Sequence, residues 1–118
     1  MRTLNVKVVG VSYEGRQAIL AMMHGDEAVR IVPEPENAFD HNALAVYVAF
    51  SPERNIGVKQ VGYISKELAK DIAPALDGES MMVSIAELIG GFKTYDGEQA
   101  NYGLRIKVEL PEAKDLTT

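Results

Sequence analysis

The chain has 118 residues, 47% hydrophobic and 25% charged, with 17 acidic against 12 basic residues and a net charge of −5. That length suits one hydrophobic core, and the composition excludes wholesale disorder. The absence of cysteine excludes disulfides, thiolate metal sites and cysteine nucleophiles. No run approaches the roughly 18 apolar residues of a membrane span, and no signal-peptide-like run follows Met1, so a cytoplasmic domain is expected.

Residues 3–10 alternate Leu4, Val6 and Val8 with Asn5 and Lys7, the pattern of a half-buried strand. Tyr13-Glu14-Gly15-Arg16 reads as a turn. Ala18, Ile19, Met22 and Met23 then fall at helical spacing, with Gly25 as the helix stop. Val29–Val32 is a brief strand ended by Pro33, and residues 34–42 (EPENAFDHN) form a polar loop. Residues 43–50 (ALAVYVAF) are apolar on both faces, as in a central strand, and a turn over 51–57 leads to a strand at 58–64. Ser65 caps a second helix with Glu67 in its first turn, and Pro74 is expected to end it. Residues 80–89 form a long strand broken at Gly90-Gly91. Residues 102–110 alternate, with Tyr102, Leu104, Ile106, Val108 and Leu110 on one face, before a polar tail at 111–118. Six strands and two short helices, without a βαβ rhythm, suggest a mainly β fold. A small antiparallel barrel would hide the sheet edges.

Catalytic signatures are missing from the sequence. There is no phosphate-binding glycine loop, and neither His24 nor His41 accompanies a nucleophile motif. Glu34, Glu36, Asp40 and His41 crowd one loop, but not with the spacing of a calcium-binding loop, and exposed acidic loops are commoner than cation sites. No cofactor is called for. The acidic balance disfavours nucleic acid unless basic residues cluster locally.

Three segments taken together do carry a pattern: Val9–Gln17 (VGVSYEGRQ), Glu34–Val46 (EPENAFDHNALAV) and Val61–Ala69 (VGYISKELA). Their order and spacing resemble the HIRAN domain, over residues 4 to about 110, and the middle block is the specific one. The resemblance implies an OB-like six-stranded antiparallel barrel with two helices over residues 1–110. It implies non-catalytic DNA binding, in characterised eukaryotic members at single-stranded 3′ ends. It also implies a role in DNA repair beside a helicase or nuclease domain, which here would act in trans or belong to a longer parent chain. The implied contacts are Tyr13, Phe39, Asp40 and Tyr102, with Asn37, Tyr63 and Lys66. Ser12 stands where eukaryotic members often carry a basic residue.

These residue types suit the task. Aromatic faces accept stacked bases without sequence readout, Asn37 can bond a base edge or sugar, and Lys66 can meet a phosphate near a helix start. Each also has a structural alternative. Tyr13 and Phe39 can plug barrel ends; Asn37 and especially Asn42 can bond their own backbone as turn formers. Asp40 can cap the same turn, Tyr63 can be sheet packing, and Tyr102 falls in register with the core series. A second functional reading is a protein-interaction or regulatory module with an acidic surface.

Overall fold

The computed structural model describes residues 2–13, 15–90 and 101–110, so the expected tail at 111–118, Gly91 and Glu14 lie outside the described residues. The elements run β1 (Arg2–Lys7), α1 (Arg16–Met22), β2 (Ala28–Pro33), β3 (Leu44–Ala49), β4 (Val58–Tyr63), α2 (Lys66–Leu76), β5 (Met81–Ile89) and β6 (Gly103–Leu110). A single 3-10 turn at Pro52–Arg54 joins β3 to β4. All strand pairs are antiparallel, in the order β1-β6-β5-β2-β3-β4.

Strand alternation decides what enters the core. Leu104, Ile106, Val108 and Leu110 of β6 are fully covered, as are Val29 and Ile31 of β2. The apolar run of β3 is buried at four of six positions, as its two-faced composition requires. From α2, Ala69, Ile72 and Leu76 join the same cluster. The strand β5 is the corner of the fold. Its residues Met81–Val83 pair with β2, Ser84–Ile89 pair with β6, and the register slips between Ile85 and Glu87. Strands that turn corners between sheet halves commonly do so at such irregularities.

The barrel expected from the sequence is not closed. The strands β1 and β4 are the two edges of an open sheet, and the segment that follows β1 meets β4 at an isolated bridge between Val9 and Tyr63. Two hydrogen bonds make that bridge, Val9 N–H to Tyr63 O (2.8 Å) and Tyr63 N–H to Val9 O (2.9 Å). The reason lies in the path of the first strand. It follows β6 until Lys7 faces Arg105, Val8 still donates to Leu104 O at 2.9 Å, and Val9 has already crossed to β4. One residue of pairing ties two edges without making a ladder. The crossing needs Gly62, because a Cβ there would lie 2.7 Å from Val8 Cγ1 and closer still to the Val9 carbonyl oxygen.

Two helix boundaries also differ from expectation. The helix α1 ends at Met22, with Met23 already extended, so Gly25 belongs to the following turn and not to the helix end. The helix α2 runs through Pro74 to Leu76. Pro74 and Lys70, whose carbonyl loses its donor, are both exposed, so water can serve that carbonyl while buried Leu76 holds the last turn. Ser65 caps α2 as expected, its Oγ accepting from Leu68 N–H at 3.4 Å.

Candidate nucleic-acid interface

The loop between β2 and β3 organises itself. Asn37 Oδ1 accepts from the N–H groups of Phe39 (2.9 Å) and Asp40 (3.1 Å), while its Nδ2 donates to Glu34 Oε1 (3.0 Å). Asp40 Oδ1 accepts from Asn42 N–H at 2.9 Å, and Glu34 N–H closes the base of the loop on Ala43 O at 2.9 Å. These bonds fix the backbone on either side of Phe39, whose side chain is 95% exposed. Burying a ring of that size is ordinarily favourable by about 1.5–3 kcal/mol. A loop built to hold it in water is therefore a feature requiring a reason beyond folding. The barrel-plug alternative fails for Phe39, and for Tyr13 at 65% exposure. Asn37 is the turn former of the pair, and Asn42 takes part through its main-chain N–H.

The three sequence segments converge through Tyr63. Its hydroxyl donates to Glu34 Oε1 at 3.0 Å, joining β4 to the loop, and its backbone bridges Val9. The Arg16 guanidinium lies 5.6 Å from the centre of the Tyr63 ring and donates to Gly10 O at 2.7 Å. Arg16 N–H also bonds Tyr13 O (2.8 Å), so the turn that carries Tyr13 is fixed from the first turn of α1. Gln17 reaches further: its Oε1 accepts from Tyr102 N–H at 2.7 Å, and its Nε2 donates to Tyr102 O (3.0 Å) and Val11 O (3.1 Å). Tyr102 is half-buried against the core, as strand alternation suggested. Lys66 opens α2 and shares an exposed hollow with Asp40, Asn42, Glu67 and Lys70. The local charge is mixed: Arg16, Lys66 and Lys70 stand beside Glu34, Asp40 and Glu67.

Glu34 is engaged by Asn37 and Tyr63, Glu36 is exposed, and Asp40, next to Phe39 in the chain, has one oxygen bonded to Asn42 N–H. Among the described residues, the ligand-type cluster is elsewhere, at His24, Asp26 and Glu27. There Glu27 is committed to structure: its oxygens accept from His24 N–H (2.7 Å) and Gly25 N–H (2.9 Å), with Arg54 Nη1 at 3.7 Å.

The arrangement has relatives. The family model for the HIRAN domain matches residues 1–110. The chain belongs to the HIRAN family. A helicase-like transcription factor from Oryctolagus cuniculus is 34% identical over 77 residues, which cover 65% of this chain and 6% of that protein. The chain thus corresponds to a small part of that relative. No solved structure matches it. HIRAN domains are DNA-binding domains without catalytic activity of their own, and the geometry above can be weighed against that role.

Of the seven contact candidates in this HIRAN domain, Tyr13 and Phe39 project into solvent, and Asp40 and Lys66 share one hollow. Asn37 and Tyr63 hold the framework, and Tyr102 is tied to it through its backbone. Sequence reasoning missed the supporting residues Arg16, Gln17 and Glu34. All three fall inside the motif segments, and the available signal was their position: two polar residues opening an amphipathic helix and a carboxylate three positions before Asn37.

Proposed function

We propose that the chain is a non-catalytic DNA-binding module that holds a single-stranded 3′ end. The observation that carries this reading is Phe39, presented at 95% exposure by a loop whose polar side chains bond inward around it. An exposed ring on a fixed backbone is a stacking platform, and base–aromatic stacking contributes about 1–3 kcal/mol per base whatever the sequence. Tyr13 offers a second platform, and Lys66 a phosphate contact beside Asp40.

Asp40 gives the reading its specificity. A carboxylate repels phosphates, so its place beside Lys66 calls for a donor on the ligand. One oxygen already accepts from Asn42 N–H, and the group retains acceptor capacity for a sugar hydroxyl. A terminal 3′ hydroxyl supplies that donor, whereas an internal 3′ oxygen is esterified and does not. The same charge favours a free end and penalises a continuing strand. The match to a helicase-like relative supports a place beside a helicase, fused or in trans; a nuclease neighbour and a role in DNA repair are part of the same proposal.

The test compares oligonucleotides ending in a 3′ hydroxyl and a 3′ phosphate, with wild type and Asp40→Asn. Wild type prefers the hydroxyl by about 1.5–3 kcal/mol, the scale of a hydrogen bond to a charged group, and the variant loses most of that preference. Equal binding of both ends by wild type leaves Asp40 as a turn residue only.

A further inference from the structure

Tyr102 stands immediately before β6, where the sheet no longer supplies a neighbour on the β1 side. The first strand leaves β6 after Val8 and crosses to Tyr63 at Val9, so its ladder stops short of Tyr102. A side chain takes the missing strand's place. Gln17 pairs with both the N–H and the C=O of Tyr102, at 2.7 and 3.0 Å, as a neighbouring backbone would. Its remaining donor capacity goes to Val11 O at 3.1 Å. A primary amide has one acceptor oxygen and two N–H donors, so these three bonds define one orientation of the group. On its other side the Tyr102 main chain is packed against Gly90, where a Cβ would lie 2.6 Å from Tyr102 Cα.

Val11 belongs to the turn that carries Tyr13, so one amide joins two aromatic-bearing segments from opposite ends of the chain. We infer that Gln17 is a positioning residue for nucleic-acid binding. It fixes the Tyr13 turn against the start of β6, so that a strand entering the site meets aromatic faces at a preset separation. Arg16 and Gln17 divide the work: Arg16 ties the turn to Tyr63, and Gln17 ties it to Tyr102. Ordering the turn before the ligand arrives removes that entropic cost from binding. This role rests on the DNA reading above, and it adds a residue that never touches the DNA.

Gln17→Met keeps the length of the side chain and removes all three bonds. Affinity for a fluorescent single-stranded oligonucleotide with a 3′ hydroxyl is measured at a temperature where each variant is fully folded. The expected loss is about fivefold to tenfold, the scale of one or two hydrogen bonds. The same substitution is then made in a Tyr13→Ala background, where it costs almost nothing further, because the face it positions has gone. An equal factor in both backgrounds, or none in either, assigns Gln17 to general stability and overturns the role. If Gln17→Met does not fold, Gln17→Ala takes its place: it is uncharged, removes the same three bonds, leaves room for water at the freed backbone groups, and carries the same expectation. Failure of wild type to bind any oligonucleotide overturns the DNA reading and this role together. Normal wild-type binding with additive variants overturns the role alone.

Discussion

Two turns of this molecule use the same device to opposite ends. At residues 23–28, Glu27 accepts from the N–H groups of His24 and Gly25, and Arg54 lies across the turn against the Phe50 ring at 5.2 Å. Arg54 also donates to Met22 O (2.7 Å), serving a carbonyl that the end of α1 leaves without a partner. The outcome is closure, with Phe50 and Met23 each 6% exposed. At residues 34–42, Asn37 accepts from two successive N–H groups in the same way, yet Phe39 is left in water. An arginine lies over a ring near each, Arg54 on Phe50 and Arg16 on Tyr63, whose hydroxyl donates to Glu34 at the start of the second turn. What differs is the phenylalanine: Phe50 comes from the end of β3 and is buried beside Arg54, whereas Phe39 is carried by its own loop and left in water. One turn uses its polar bonds to seal the core, and the other uses them to present a ring.

The sharpest way to break this comparison is to remove each ring in turn. Phe50→Ala opens a cavity in the core and is expected to cost about 3–5 kcal/mol of stability. Whatever fraction stays folded should bind oligonucleotide as wild type does. Chemical denaturation and binding measured on the same samples separate the two quantities. A stability loss below about 1 kcal/mol, well short of the core-cavity range, would mean that Phe50 is not part of the sealed turn.

Phe39→Ala should give the reverse result. Exposed as it is, the ring contributes little to folding, and a surface change of this kind alters stability by about 0.5 kcal/mol or less. Binding of single-stranded DNA should fall by about 1–3 kcal/mol if a base stacks there. A variant that unfolds, or one that folds and binds unchanged, refutes the presentation of Phe39 as a platform.

The comparison also explains what could be read from residues alone. The alternation of Leu104, Ile106, Val108 and Leu110 located β6 and its buried face, because period-two burial is a local property. The two-faced apolar run of β3 was legible for the same reason. The closure of the sheet was not, since it turns on whether Val9 alone or several residues cross to β4, a matter of three-dimensional path. At the site, the motif segments marked Phe39 and Tyr13, but loop aromatics in a sequence carry no sign of whether they point in or out. Asn42 was the favoured turn former on composition, yet it is the Asn37 side chain that accepts from two backbone N–H groups, while Asn42 contributes its main-chain N–H. Gln17 stayed hidden because its three partners belong to two segments, one of them distant in sequence.

The smallest expected effect concerns the closing turn alone and separates it from the presenting one by pH. Burial by itself would raise the Glu27 carboxyl, whose side chain is 4% exposed. The backbone N–H groups of His24 and Gly25 outweigh that, with the His24 charge adding to them, and hold the carboxyl below its ordinary value of 4.5. The unfolded chain therefore binds this proton more readily than the folded one. The resulting stabilisation is fully present above the ordinary value and is lost as pH falls through the depressed folded value. Glu27→Gln has no such group to titrate. Urea midpoints taken from pH 6 down to pH 3 should show wild type falling more steeply than the variant, with the gap narrowing towards acid. A gap that stays constant across this range would show that the Glu27 charge takes no part in sealing the turn, leaving Arg54 and the Phe50 ring to hold it.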